Sequence, residues 1–199
     1  MNIAIIKYNA GNIESVNNAL NRLGIDGDIT ADHEKIRNAD KVIFPGVGEA
    51  STTMAYLREH KLDELIISLK QPVLGICLGQ QLMCSHSEEG DTACLGIFDE
   101  KVIRFIPKPG EEFITKVPHM GWNNITNVKS PLFDDSIEDQ YVYFVHSYYA
   151  ELNEYEIAKT NYILPFASAM QKNNFFAVQF HPEKSGKIGE QILKNFVEL

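Results

Sequence analysis

Residues 73–82 read Val73-Leu74-Gly75-Ile76-Cys77-Leu78-Gly79-Gln80-Gln81-Leu82. The apolar run before Cys77 predicts a buried β-strand, and the residues after Cys77 predict a helix that begins at once. A strand that turns sharply into a helix presents a nucleophile at the carboxyl edge of a sheet. Gly75 and Gly79 flank the turn, where a side chain would obstruct the close approach of strand and helix. Because a helix N-terminus also stabilises a thiolate, the stretch predicts Cys77 as a nucleophile.

The segments before this turn alternate between apolar runs and amphipathic runs. Strands are predicted at 3–7, 25–29, 42–44 and 73–76, and helices at 12–23, 50–70 (with a break near His60) and 78–85. Gly24 is expected to end the first helix. Continuously apolar strands that alternate with helices are typical of a parallel sheet covered on both faces.

The second half of the chain has a different pattern, with short apolar runs at hairpin spacing. Strands are predicted at 102–106, 117–122, 141–150, 156–160, 166–171 and 175–180, and a closing helix at 188–199. The fold class is therefore α/β, with three layers and a mostly parallel central sheet that has an antiparallel extension. No linker or repeat interrupts the 199 residues, so we expect one domain over 1–199.

Composition excludes several classes of function. The net charge is −9 and no run of Lys or Arg occurs, which argues against a nucleic-acid-binding protein. No apolar run has the length of a membrane span, and the N-terminus lacks a signal pattern. The three cysteines, Cys77, Cys84 and Cys94, do not form a disulfide pattern, so we expect a reducing, cytoplasmic compartment. Cys84 and Cys94 are expected to be structural.

A thiol nucleophile needs a base, and His181 is the best candidate among six histidines. It follows the predicted strand 175–180, and Glu183 stands two residues later. A histidine in that place can accept the thiol proton while the carboxylate orients its ring. Pro182 restricts the backbone between them. His119 and His146 lack partners at metal-ligand spacing, so no metal site is predicted.

These motifs resemble those of the class I, or triad, glutamine amidotransferases. The resemblance rests on residues 75–79 with Gln81, and on His181-Pro182-Glu183. Four further blocks, at 45–48, 118–123, 143–148 and 179–186, are similar to those of glutaminase subunits of imidazole glycerol phosphate synthases. The resemblance covers the whole chain and implies a flavodoxin-like fold. Gln80 departs from the family, which more often has Met there, and we interpret it as a packing or surface change.

The resemblance implies that glutamine is hydrolysed to glutamate and ammonia through a glutamyl thioester. Cys77 would attack the carboxamide, His181 would transfer protons and Glu183 would orient the imidazole. The implied substrate-binding residues are Gly46, Val47 and Gly48 with Leu78 at the oxyanion, and Gln81, Ser147 and Tyr148 along the substrate. No cofactor is expected.

The resemblance also implies a partner, a cyclase subunit with a (β/α)8 barrel that receives ammonia through a tunnel. The two chains would form a heterodimer in histidine biosynthesis. The implied docking face includes Asn12, Trp122, Tyr143 and Lys184.

Three alternatives remain open from the residues. A paralogous glutaminase could supply ammonia to another synthase, for example one that amidates surface sugars. A protein of the same fold without enzymatic activity would leave Cys77 as a sensor, but the intact His181-Pro182-Glu183 disfavours it. A cysteine peptidase on a similar scaffold is disfavoured by Gln81.

Overall fold

The structure is a computed structural model that describes residues 1–9, 11–110, 113 and 115–199. Within these ranges the helices are α1 (Ile13–Arg22), α2 (His33–Asn38), α3 (Ala50–Glu59), α4 (Leu62–Ser68), α5 (Leu78–Met83) and α6 (Gly186–Glu198), with short 3-10 helices at Asp135–Ile137 and Pro182–Lys184. The strands of the same ranges are β1 (Ile3–Ile6), β2 (Gly27–Thr30), β3 (Lys41–Gly46), β4 (Val73–Cys77), β5 (His86–Ser87), β6 (Thr92–Ala93), β7 (Lys101–Arg104), β8 (His119–Asn124), β9 (Tyr141–His146), β10 (Tyr148–Ala150), β11 (Glu156–Asn161), β12 (Pro165–Lys172) and β13 (Phe175–Val178).

The central sheet has the strand order β11-β12-β13-β4-β3-β1-β2. Strands β2, β1, β3, β4 and β13 are parallel neighbours, while β12 and β11 continue the sheet in antiparallel fashion. The predicted α/β class with an antiparallel extension is confirmed. Parallel pairing of β13 with β4 places the carboxyl ends of β3, β4 and β13 side by side at one edge of the sheet.

Two apolar clusters cover the two faces of the central sheet and make three layers. Along β1 the side chains alternate, so that Ile3 and Ile5 join one cluster while Ala4 and Ile6 join the other. The first cluster includes side chains of α1 and α6, and the second includes side chains of α2, α3, α4 and α5. Strands β1, β3, β4 and β13 are buried throughout, which explains their mostly apolar sequences.

The helix boundaries follow local backbone signals. Helix α1 ends just before Gly24, whose φ of 77° allows the chain to leave the helix, as predicted. Lys61 has a left-handed backbone with φ 55°, and it separates α3 from α4 at the break predicted near His60. In the part of the chain that the structure describes, no helix combines the length and the apolarity needed to cross a bilayer.

Two small sheets account for most differences from the predicted strands. One has the order β10-β7-β5-β6, and the other pairs β8 with β9. The single strand predicted over 141–150 is divided at Ser147, because β9 pairs with β8 whereas β10 pairs with β7. Strands β5 and β6 contain two residues each and were not predicted.

A buried pair of histidines joins β8 to β9. His119 and His146 lie opposite each other in the strand register, and His119 Nδ1 lies 3.0 Å from His146 Nε2. His146 Nδ1 donates to the carbonyl of Tyr148 at 2.7 Å, so its Nε2 is the acceptor for His119. Burial lowers the pKa of His119 to about 4 and the pKa of His146 to about 3. Both rings are therefore neutral at physiological pH.

We expect the free energy of unfolding to decrease as the pH falls below about 6.5. The unfolded histidines bind protons from that pH downward, whereas the folded ones stay neutral until the pH approaches 4 and 3. Each histidine then contributes a slope of about 1.4 kcal/mol per pH unit. Urea unfolding should show a loss of stability smaller by about 0.7 kcal/mol from pH 7 to 6, and by about 1.2 kcal/mol from pH 6 to 5, in a His119→Gln variant. Equal slopes for the parent and the variant would contradict this assignment.

Candidate active site

Cys77 occupies a sharp turn between β4 and α5. Its backbone has φ 54° and ψ −107°, a conformation that residues with a side chain rarely adopt. The turn is possible because strand and helix approach closely at glycines. A Cβ on Gly79 would lie 2.1 Å from the carbonyl oxygen of Phe44, and one on Gly75 would lie 2.9 Å from Met83 Sδ. The predicted strand, turn and helix around Cys77 are confirmed.

His181 and Glu183 lie next to this turn, after the end of β13. His181 Nδ1 donates to Glu183 Oε1 at 2.7 Å, and both side chains are fully buried. The other ring nitrogen, Nε2, is also buried and has no hydrogen-bond partner among the described residues. The carboxylate therefore fixes the ring and leaves Nε2 for proton transfer.

The protonated form of His181 is favoured by its neighbours. Burial lowers the pKa of the imidazole, but the negative charge of Cys77 and the carboxylate of Glu183 outweigh it and raise the pKa to about 10. At neutral pH the site thus favours an imidazolium beside the Cys77 sulfur. An imidazolium next to the sulfur favours the thiolate, which is the nucleophilic form of a cysteine.

Asn12 supports the carboxylate of this group from the start of α1. Its Nδ2 donates to Glu183 Oε1 at 3.0 Å, and only 4% of the residue is exposed. Asn12 is expected at the docking face from the resemblance, but its side chain points inward against Glu183. A buried carboxylate needs donors, which explains this inward position.

A pocket of about 500 Å³ opens in front of Cys77. Its lining consists of Val47, Gly48, Cys77, Leu78, Gln81, Glu89, Pro118, Val145, His146, Ser147, Tyr148 and Lys184. The structure thus brings together most residues that the sequence analysis assigns to substrate binding. Gly46 lies behind the lining, where its backbone pairs with Cys77 and an added Cβ would meet the hydroxyl of Tyr8 at 2.5 Å.

The two adjacent glutamines of α5 have different surroundings. Gln81 Nε2 donates to the carbonyl of Tyr148 at 3.0 Å and to Gln179 Oε1 at 2.9 Å, beside the pocket. Gln80 is fully buried, and its Nε2 donates to the carbonyl of Ala167 on β12 at 3.1 Å. Gln80 is therefore a packing residue of the core.

Two side chains of this site, those of Glu89 and Gln179, were not predicted from the sequence. Glu89 brings a carboxylate to the pocket from the segment between β5 and β6, and its Oε2 accepts from the N–H of Ala50 at 2.8 Å. Gln179 is fully buried, and its Nε2 lies 3.7 Å from Cys77 Sγ. Gln179 belongs to the same sequence block as His181, but the apolar pattern predicted it only as a strand residue.

Of the other residues assigned to the docking face, Lys184 lines the pocket, whereas Trp122 and Tyr143 lie on the β8–β9 hairpin. Trp122 on β8 is 56% exposed, and its ring meets that of Tyr143 edge-on at 5.9 Å between centroids. Lys184 is exposed and lines the pocket. Across the described ranges, no group of three or more His, Cys, Asp or Glu side chains could hold a metal ion.

We expect iodoacetamide to label Cys77 before the other two thiols at neutral pH. Burial raises the pKa of Cys84, and burial raises the pKa of Cys94 to about 11, so both remain protonated. Cys77 instead lines the pocket next to the His181 imidazolium. Peptide mapping of a labelling time course measures the order, and the urea-unfolded chain, in which all three thiols should react alike, is the control. Faster labelling of Cys94 would contradict the site.

Comparison with known proteins gives the family. Residues 4–199 match the family Glutamine amidotransferase class-I. The imidazole glycerol phosphate synthase subunit HisH of Bacteroides fragilis is 60% identical over 199 residues, with 100% of both chains covered. The protein of the same name from Haemophilus influenzae is 49% identical over 199 residues, covering 100% of this chain and 98% of that protein.

Solved structures share the fold at low identity. A structure described as a glutamine amidotransferase has a TM-score of 0.74 at 18% identity, covering 98% of this chain and 97% of that one. A glutamine amidotransferase from Thermotoga maritima has a TM-score of 0.60 at 17% identity, covering 100% and 83%. The match over nearly the whole length and the identity to full-length relatives show that the chain belongs to the class I glutamine amidotransferase family.

Proposed function

We propose that this chain is the glutaminase subunit of an imidazole glycerol phosphate synthase and acts as one domain over residues 1–199. The observation that carries the proposal is the placement of Cys77, which lines the pocket, beside the buried and hydrogen-bonded pair of His181 and Glu183. The 60% identity to a full-length subunit of that synthase supports the choice within the family. The same chemistry would serve a paralogous synthase, so partner identity is part of the test below.

In the first half of the reaction, the Cys77 thiolate attacks the side-chain carbonyl carbon of glutamine. The carbonyl oxygen becomes an oxyanion, for which the backbone N–H of Leu78 and the segment Val47–Gly48 are the proposed donors. The His181 imidazolium then gives its proton to the departing nitrogen, so that ammonia leaves and a glutamyl thioester remains. Glu183 stabilises the imidazolium through its bond to Nδ1.

In the second half, neutral His181 accepts a proton from water, which attacks the thioester carbon. The carbon–sulfur bond then breaks, its electron pair returns to Cys77, and glutamate is released. The pocket offers groups for the amino acid end of the substrate. Glu89 supplies a carboxylate suited to an α-ammonium group, and Gln81, Ser147 and Tyr148 add further polar groups to the lining.

Replacing Cys77 by alanine should abolish glutamine hydrolysis. Loss of the nucleophile from a catalytic triad costs about a thousand-fold or more in rate. Release of glutamate and ammonia from glutamine should be compared for the parent, Cys77→Ala and Cys94→Ser. Cys94 is a half-buried thiol outside the pocket lining, so that variant should retain the parent rate. A Cys77→Ala variant that still hydrolyses glutamine at the parent rate would refute the mechanism.

The proposed docking surface is the hairpin face, formed by Met120, Trp122, Tyr141 and Tyr143. The strand register places these four side chains on the same side of β8 and β9. Met120, Trp122 and Tyr141 are 62%, 56% and 58% exposed. Large exposed apolar side chains that cluster in this way are typical of an interaction surface. Lys184 is exposed and lines the pocket, so we propose that it also contacts the cyclase partner.

We expect weak ammonia release from the isolated chain and a strong increase when the cyclase subunit is present with its ribonucleotide ligand. Trp122→Ala should weaken the complex by about 2 kcal/mol, or about thirty-fold in Kd, because truncation of an interface tryptophan commonly costs that much. Ile67→Ala on α4 removes an exposed apolar side chain from another surface and is the matched control. Titration calorimetry with parallel activity assays measures both effects.

The histidine-pathway assignment fails if the cyclase subunit neither binds nor stimulates the chain while another synthase does. We further propose a reducing, cytoplasmic location. It is supported by the free thiols of Cys77, Cys84 and Cys94, and by the need to keep the nucleophile reduced.

A further inference from the structure

The Cys77 sulfur has a neighbour that the triad mechanism leaves unused. Gln179 is fully buried, and its Nε2 lies 3.7 Å from Cys77 Sγ, within reach of a hydrogen bond to sulfur. We propose that Gln179 is a catalytic residue whose amide N–H stabilises the Cys77 thiolate, with its orientation set by Gln81. The inference rests on the proposed function, because it assigns a further role at the same nucleophile.

The orientation of the Gln179 amide follows from its hydrogen-bond partners. The carbonyl of Tyr148 can only accept, so the group of Gln81 that faces it at 3.0 Å must be the amino group. The same amino group lies 2.9 Å from the Gln179 side chain, which must therefore present its oxygen there. The Gln179 amino group is then left to donate toward the sulfur.

This donor differs from the other polar groups at the sulfur. The carbonyl of Val145 lies 3.9 Å from Cys77 Sγ and can only accept, so it favours the protonated thiol. Gln179 can only donate at that point, so it favours the thiolate. Cys77 is 6% exposed, which leaves the thiolate few contacts with water. A protein donor is therefore needed to offset the desolvation of the charge.

The timing of proton transfer gives Gln179 a role that His181 cannot fill. His181 becomes neutral when it protonates the departing ammonia, and it becomes an imidazolium again only as it takes a proton from the attacking water. Gln179 carries no titrating proton, so it remains a donor through both halves. When the thioester carbon–sulfur bond breaks, its electron pair returns to a sulfur that already faces an N–H group. Gln179 thus stabilises both the attacking and the leaving thiolate.

The contact with Gln81 adds a link between substrate binding and the nucleophile. Gln81 lines the pocket and shares its amino group between Tyr148 and Gln179. Movement of Gln81 on binding glutamine would therefore be felt directly by the amide that faces the sulfur. Gln179 thus has two contacts, one with Gln81 and one with the Cys77 sulfur. A variant that keeps the first and loses the second separates their effects.

The test measures the pH dependence of Cys77 alkylation by iodoacetamide in the isolated full-length chain. The variants are Gln179→Leu, which removes both contacts, and Gln179→Glu, which keeps an acceptor for Gln81 but replaces the N–H donor by a carboxylate oxygen. Gln80→Leu is the matched control, because it removes a fully buried amide of the same size from α5 without contact to the sulfur. Labelling is assigned to each cysteine by peptide mass.

We expect the midpoint of the alkylation profile to rise by about one pH unit in Gln179→Leu, the size expected for loss of a hydrogen bond to a charged group. Gln179→Glu should raise it further, because a second negative charge faces the sulfur. Gln80→Leu should leave the midpoint unchanged. The kcat for glutamine hydrolysis in the cyclase complex should fall about ten-fold in Gln179→Glu, the rate equivalent of one such hydrogen bond.

The inference is overturned if both Gln179 variants alkylate with the parent midpoint, or if Gln80→Leu shifts it equally. Circular dichroism and thermal unfolding establish which variants are folded, and Gln179→Glu decides the case if Gln179→Leu does not fold. The proposed function has its own readout, glutamine hydrolysis by the unmodified chain with its partner. A parent chain that hydrolyses glutamine, with variants of unchanged midpoint, refutes the role of Gln179 alone.

Discussion

The backbone of Cys77 is the constraint on which the rest of the site depends. Its positive φ lets the chain pass from β4 to α5 within one residue. This backbone conformation is unfavourable for every residue except glycine. The fold stabilises it by close packing, because Gly79 lies directly against the carbonyl of Phe44 on the neighbouring strand. The nucleophile is consequently held at the sheet edge by the close approach of strand and helix and by the pairing of its backbone with Gly46 on β3.

Parallel pairing then brings the remaining groups to the same edge. Strand β13 lies beside β4, so the residues that follow it, Gln179 and His181, reach the sulfur from one side. Asn12 and Glu183 complete a buried chain of hydrogen bonds behind the imidazole. The imidazolium lies next to the carboxylate of Glu183 and the sulfur of Cys77, so its buried charge is not left unpaired. His146 of the neutral histidine pair also lines the pocket and adds no charge to it.

The sequence predicted the parts of the fold and site that have local signals. The strand-to-helix pattern around Cys77 and the spacing of His181 and Glu183 are both of this kind. The remaining parts depend on tertiary contacts that no local pattern reveals. Gln179 lies in an apolar run, and only the packing of β13 against β4 turns it toward sulfur. Glu89 is brought to the pocket by the short strands β5 and β6, which were not predicted. The strand predicted over 141–150 is divided at Ser147, because the residues before and after it pair in different sheets.

The central claim is that Cys77 forms a covalent glutamyl thioester within a buried Cys-His-Glu group. The most direct measurement is rapid acid quenching of the chain during turnover of isotopically labelled glutamine with its partner, followed by peptide mapping. We expect label on the peptide that contains Cys77, released by hydroxylamine as is usual for a thioester. The reaction is run at low temperature so that hydrolysis of the intermediate is slow. Turnover without protein-bound label under these conditions would contradict the claim. Label on a different residue would also contradict it.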